Sequence, residues 1–351
     1  MKSTSLNATK ERSMPKGIKH LCLYRLNTLN NSISRFIHPL LLISLMLSLP
    51  AWGDENYTVG LAVWSGYEDS VKGFKAGMHQ AGLKEGHNVT YLQGESVADK
   101  KIQTAVAKRF LEEKVDLVYS LTTPGTSIMK NTLPKDLPII FSIVTYPADS
   151  GLIESFDYSG NNLVGTSNYV PLSNYITLLN LVLPDTKTAA IIHRKGEPNS
   201  NIQAANLIRL LKRQKIKVLN LEPSNIEELV ELASANAEKV DLFITTTDTL
   251  LQGGGEQALI EVSIASQTPI LSSNKQGIEA GSTFGPVADF YILGEMAGQK
   301  AAQVLLQNMA PTQIKSEVQN PPLFLANPRS IAAVGLTLPL DARQRLTLTE
   351  D

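Results

Sequence analysis

From Tyr57 onward the chain alternates between short apolar runs and longer stretches in which apolar residues return every three or four positions. The runs at 57–63, 88–92, 117–121 and 139–144 read as strands of one four-stranded sheet. Between them, 70–81 and 99–114 carry the helical period, and in the second Ile102, Val106, Phe110 and Leu111 share a face. Strands separated by helices of this length imply βαβ units and a parallel sheet. The stretch 147–165, rich in Gly, Ser, Asn and Asp, has no period and reads as a loop leaving that sheet. The alternation then restarts, with helices at 171–183, 199–214, 226–237 and 255–266 and strands at 188–193, 217–221, 242–246 and 269–272. Gly285-Pro286 reads as a break, 289–306 as an amphipathic helix returning to the first half, and 321–339 as an extended tail packed on the second.

The restart has an exact marker. Glu-Lys-Val-Asp-Leu occurs at 113–117 and again at 238–242, a spacing of 125 residues. That is too wide for a solenoid or propeller period. Each copy joins a helix to a buried strand that stops at small hydroxylated residues, Thr122-Thr123 in one and Thr245-Thr246-Thr247 in the other. The expected fold is therefore α/β, with two doubly wound parallel-sheet lobes joined by a hinge. The expected boundaries are 54–168 plus 286–312 for lobe one and 169–285 plus 313–351 for lobe two. Ligands of open α/β sheets bind at the carboxyl ends of the strands, so two such edges facing each other make a cleft.

Residues 1–53 do not follow this pattern. Seven Lys and Arg stand against the single acid Glu11, followed by a largely apolar run from Leu40 to Leu49 and Ala51-Trp52-Gly53. This reads as a secretory signal peptide, with Met1 or Met14 as its start, and implies a periplasmic product. Ten residues are too few to span a bilayer, which takes about 20. Without the leader the chain has 25 basic and 32 acidic residues, a net charge of −7, which argues against a nucleic-acid partner. The single cysteine, Cys22, lies in the leader, so no disulfide or thiol chemistry is expected. The other histidines outside the leader, His79, His87 and His193, are not spaced as metal ligands, and no nucleophile elbow, phosphate loop or dinucleotide fingerprint occurs. We expect no enzyme, no cofactor and no metal.

The candidate chemistry lies instead at strand ends. Thr123 can cap a helix with Pro124 in its first position, and Glu197-Pro198-Asn199-Ser200 opens another in the same way. Free N–H groups and the positive dipole end at such sites favour an anion such as a carboxylate. Asp248 stands 125 residues after Thr123 and could meet a ligand ammonium or simply cap the next helix. Trp64, Tyr67 and Tyr146 fall just past strand ends, where aromatic rings offer stacking surface. Gly253-Gly254-Gly255 reads as a flexible turn entering a helix.

Taken together, these motifs resemble a known family. Gly73-Phe74 with Gly77 and Gly82, Thr123-Pro124-Gly125, Leu137-Pro138-Ile139-Ile140-Phe141, Asn162-Leu163-Val164-Gly165, Glu197-Pro198-Asn199-Ser200, Thr247-Asp248 and Asn327 follow the order seen in periplasmic substrate-binding proteins of ABC transporters. Within that type I fold the chain is similar to the tryptophan and tyrosine receptors. The resemblance implies a monomeric receptor that captures a small amino-acid-like ligand and delivers it to a membrane permease. It implies that Thr123, Gly125 and Thr126 hold the carboxylate, that Asn199 and Ser200 are donors from lobe two, and that Asp248 pairs with the ammonium. The chain departs from the family at Tyr146-Pro147, at Arg194-Lys195-Gly196, at Asn274 where an Asp is usual, and in its triple glycine. Two other readings share these residues: a sensory module presenting its closed form to a membrane sensor protein, and an exported hydrolase using His193 with Glu197.

Overall fold

A computed structural model of the protein describes residues 56–350; the leader expected over 1–53 lies outside the described residues. The first half builds β1 (Tyr57–Ala62), α1 (Glu68–Gln80), β2 (Val89–Gln93), α2 (Lys100–Glu112), β3 (Leu117–Leu121), α3 (Thr123–Thr132), β4 (Ile139–Ser142) and β5 (Leu163–Ser167). The second half repeats the plan with α4 (Leu172–Val182), β6 (Thr188–Ile192), α5 (Pro198–Arg213), β7 (Lys217–Leu221), α6 (Ile226–Asn236), β8 (Leu242–Thr245), α7 (Glu256–Ser266), β9 (Ile270–Leu271), α8 (Lys275–Ala280) and β10 (Phe284–Val287). The long helix α9 (Phe290–Gln307) follows, and then β11 (Glu317–Val318), β12 (Leu323–Ala326), α10 (Pro328–Ala333), α11 (Leu340–Arg345) and β13 (Thr347–Leu348).

Two sheets result. The first runs β11-β5-β4-β3-β1-β2 and the second β13-β12-β10-β9-β8-β6-β7. Their cores have the same winding, because β2-β1-β3-β4-β5 matches β7-β6-β8-β9-β10 strand for strand. All pairs are parallel except β10 with β12. Both faces of the second sheet are covered, as the alternation along its strands shows. Ala189, Ile191 and Ile244 pack on one side with Tyr175 and Leu207, while Ala190, Ile192 and Phe243 pack on the other with Leu229 and Leu259. A strand buried on both faces reads as a continuous apolar run, which is how these segments look in sequence.

The expectation of four strands in the first sheet is too low, since six are present. Leu163–Ser167 is wholly buried and pairs with β4, although its Gly-Thr-Ser half lacks an apolar period. Gly285-Pro286 is not a break but lies inside β10, next to the antiparallel partner β12. Gly285 is needed there because a Cβ would stand 2.0 Å from the Ser272 carbonyl oxygen. The tail is extended only over β12 before turning into α10.

The helix α9 leaves the second sheet and packs on α1 in the first half. Their axes approach through glycines. A Cβ on Gly73 or Gly77 would lie 2.0 or 2.1 Å from carbonyl oxygens of α9, and one on Gly294 or Gly298 would lie 2.0 or 2.3 Å from those of α1. The chain passes between the sheets after β5, after β10 and after β11. The strand pairings carry β10 to Val287 in the second sheet and put Glu317–Val318 in the first, so these crossings fall later than 286 and 313. Two crossing segments touch where the Asp289 amide donates to Gln319 Oε1 at 2.6 Å.

Candidate functional site

In each sheet the winding direction reverses between the first and third strands of its repeat. Such a switch point leaves a crevice at the carboxyl ends. Here the crevice of one sheet faces that of the other. Tyr67 follows β1, Thr122 and Thr123 follow β3, and Ile143 and Thr145 follow β4; opposite them, Glu197 and Asn199 follow β6, and Thr247, Thr249 and Gln252 follow β8. Together with Asn168 at the first crossing, these residues enclose a cavity of about 10 Å³, room for about one water. The halves meet directly, with the hydroxyls of Thr145 and Thr247 2.8 Å apart, and Thr145 also donates to Asn168 Oδ1 at 3.0 Å. An open groove of about 610 Å³ adjoins the seam, between Trp64, Lys100, Pro124 and Ser127 on one side and Arg194, Lys195 and Glu197 on the other.

The lobe-one wall is set by unusual backbone. Thr122, not Thr123, caps α3: its φ is +68° and its Oγ1 accepts the Gly125 amide at 3.2 Å. Ile143 also has a positive φ, +56°. Left-handed φ at β-branched residues is a genuine outlier, and such strain clusters at ligand clamps. Because Thr122 takes the Gly125 amide, and the Thr126 amide donates to the Thr122 carbonyl, the helix start offers fewer free donors than the sequence suggests. The group left over is the Thr123 hydroxyl, which is buried and unpartnered. Tyr67 is held by stacking on Phe290, with centroids 5.6 Å apart, and its phenol is pushed well up by burial and then by the nearby Glu197 and Asp248.

The lobe-two wall is acidic and crowded with acceptors. Glu197, 6 % exposed, accepts the Thr249 amide at 3.2 Å and the Thr249 hydroxyl at 2.6 Å. Burial, and after it the charge of Asp248, raises its carboxyl to about 7. Asn199 donates to the Thr247 carbonyl, and its Oδ1 has no partner. Behind them, Gln203 Oε1 accepts both the amide and the hydroxyl of Thr247 at 2.9 Å.

Asp248 is placed differently from the ammonium contact that the resemblance implied. Its Oδ1 accepts the amides of Leu250 and Leu251 at 3.0 and 2.9 Å, and its Oδ2 accepts the Arg194 amide and the Thr246 hydroxyl, both at 2.9 Å. Four donors from its own lobe occupy it, so the capping alternative describes its contacts, and Glu197 is the acid on the cavity wall. Burial pushes Asp248 up while these bonds pull it down. On balance burial leaves Asp248 raised; its two oxygens take four hydrogen bonds, whereas Glu197 takes those of Thr249 and lies 3.8 Å from Arg194 Nη1.

Of the remaining expected residues, none lines the cavity. Trp64 lines the outer groove, with its Nε1 unpartnered against α3, where a Cβ on Gly125 would come within 2.4 Å. Thr126 bonds Ser120 at 3.1 Å in the core, and Ser200 donates to the carbonyls of Arg194 and Glu197 at 3.3 and 3.2 Å. Tyr146 packs edge-on against Tyr169 with an unpartnered hydroxyl. Asn274 caps α8. Thr122, Ile143, Thr145, Asn168, Thr247, Thr249 and Gln252 are wall residues that the sequence does not single out, and Glu197, expected to open a helix or to pair with His193 in a hydrolase, is an acid of the wall. The signal available for Thr247 and Thr249 was adjacency to Asp248 at a strand end. A further buried acid, Glu256, lies in lobe two, raised by burial to about 7, with Oε1 accepting from Ser282 at 2.6 Å. Among the described residues no His, Cys, Asp and Glu cluster suits a metal ion.

Comparison with known proteins agrees with this architecture. A tyrosine-binding protein of Clostridioides difficile (strain R20291) is 29% identical over 238 residues, 68% of each chain. A conserved domain protein of Vibrio cholerae superposes with a TM-score of 0.79 at 21% identity, covering 85% of this chain and all of that one. A Streptococcus pneumonia ABC domain in complex with L-Trp gives 0.78 at 21% identity, covering 84% and 100%. At that identity the likeness shows the fold, that of type I periplasmic binding proteins. The sequence profile of the ABC transporter substrate binding proteins matches residues 64–342, and the chain belongs to that family.

Proposed function

We propose that this protein is the periplasmic receptor of an ABC importer and closes on one free amino acid held between its lobes. The observation that carries the reading is the chemistry left unpaired on the two walls. A buried hydroxyl donor, Thr123 Oγ1, stands on lobe one, and an acceptor oxygen, Asn199 Oδ1, stands on lobe two beside the Glu197 carboxyl. A buried polar atom without a partner costs free energy, and a zwitterion supplies both missing partners at once. Its carboxylate accepts from Thr123 near the positive end of α3, and its ammonium donates to Asn199 and Glu197. The relatives that bind tyrosine and L-Trp support the same ligand class.

Entry requires the lobes to part, because the seam as described has no room for an amino acid. The three crossings act as the hinge, and small φ/ψ changes there are enough for opening. The closed face then presents itself to the membrane permease, the protein acting as a monomer. A thermal-shift screen of the free amino acids tests the reading: at a hundredfold excess over Kd, a true ligand stabilises the fold by about 2.7 kcal/mol. A set of amino acids that leaves the melting temperature unmoved at millimolar concentration contradicts it.

A further inference from the structure

We propose that Gln252 is the residue that reads the ligand's side chain, selecting an amino acid whose side chain ends in a group that both donates and accepts a hydrogen bond, a phenol hydroxyl or a carboxamide. The inference rests on the amino-acid reading above and adds to it a residue and a side-chain class. Gln252 sits on the π-turn Leu251–Gly255. The base of that turn is fixed in lobe two: Asp248 accepts the amides of Leu250 and Leu251 through its side chain and that of Gln252, at 3.1 Å, through its carbonyl. Beyond Gln252 the chain has no side chains to offer, and Gly254 turns away with φ +110°. The Gln252 carbonyl comes up against lobe one at Gly66, where a Cβ would stand 3.0 Å from it. The turn therefore places one long side chain at the seam, in the wall shared with Tyr67, Thr123, Glu197 and Asn199.

Both ends of that side chain's amide, Nε2 and Oε1, are buried and neither has a partner. Among the unpartnered groups on the cavity wall it alone offers a donor and an acceptor on two separate atoms of one planar amide, where Thr123 offers a single hydroxyl. The head group of an amino acid is already matched by Thr123, Asn199 and Glu197. The complement left for Gln252 is a side-chain group that accepts from Nε2 and donates to Oε1. A site built around such a pair discriminates strongly against analogues lacking it, because the amide is then buried unpaired.

Isothermal titration of the purified protein with L-tyrosine, L-phenylalanine, L-glutamine and L-leucine tests the inference, alongside Gln252→Leu and Gln252→Asn. The unmodified protein is expected to prefer tyrosine to phenylalanine, or glutamine to leucine, by roughly 100-fold or more. The pair that shows the preference tells phenol from carboxamide. Gln252→Leu is expected to weaken the preferred ligand by roughly 10- to 100-fold and to leave its apolar analogue within about threefold, with Gln252→Asn in between. Equal melting temperatures of the ligand-free variants establish that the turn mutations leave the fold intact; should Gln252→Leu melt early, Gln252→Asn carries the comparison. Discrimination unchanged in the variants, or a protein that prefers phenylalanine or leucine, overturns this inference and leaves the amino-acid reading standing. Binding of no amino acid at all overturns both.

Discussion

Glu197 and Asp248 are buried acids on neighbouring strand ends, and their surroundings differ. Asp248 receives four hydrogen bonds, whereas Glu197 receives its bonds from Thr249 alone and is raised to about 7 by burial. A ligand ammonium favours the ionised form of Glu197, so binding below about pH 7 releases a proton and affinity rises as pH climbs through that value. Titration calorimetry in buffers of different ionisation enthalpy measures that proton, and Glu197→Gln should both weaken binding by more than tenfold, about 1.4 kcal/mol, and flatten the pH profile. An unchanged profile in the variant removes Glu197 from the ligand. The ligand-free fold behaves oppositely. Glu256, buried inside lobe two, keeps a proton in the folded state that the unfolded chain loses near the ordinary value of 4.5, so the stability it contributes at low pH is lost as pH rises toward about 7. Glu256→Gln, which keeps the shape, should reduce the fall in melting temperature over that range. At this scale the sequence was only partly readable. Thr123 and Asn199 stand out because caps and strand ends have local signatures, and Asp248 stood out for the same reason while its side chain serves the turn instead. Thr145, Asn168 and Gln252 carry no local signature; they meet only when the two halves close.

Among the elements, α1 and α9 depend most on close approach. Gly73, Gly77, Gly294 and Gly298 let the two backbones touch, and a methyl at any of them would sit within 2.3 Å of a carbonyl oxygen. Gly73→Ala or Gly294→Ala should therefore cost about 1–3 kcal/mol in urea unfolding through overpacking, despite the better helix propensity of alanine. Stability equal to the parent would mean the helices can separate without loss. The strands and helices with strong period, such as β1 to β4 and α2, follow directly from the sequence. The misses share one cause. β5 and β10 are held by neighbours on both sides, and their Gly, Thr, Ser and Pro residues are chosen for close contact and not for an apolar period. The repeated Glu-Lys-Val-Asp-Leu did mark the duplicated winding, because it spans the tight entry to β3 and β8 in both halves.

For the whole molecule, capture of a ligand between the lobes requires an opening and closing motion. Small-angle scattering should show a smaller radius of gyration with a bound amino acid than without one. Gly66→Ala should oppose the closed form, since a Cβ there would press on the Gln252 carbonyl; the φ of +88° strains a side chain in either form, so the ligand-free melting temperature should fall somewhat and ligand affinity should fall as well. Loss of stability without loss of affinity would place the strain of that residue outside closure. The most direct measurement is a crystal structure of the protein with the amino acid that gives the largest thermal shift. That ligand is expected between the sheets, its carboxylate on the Thr123 hydroxyl and its ammonium on Glu197 and Asn199. A ligand lodged only in the outer groove beside Trp64 and Lys195, or touching one lobe alone, would contradict that placement.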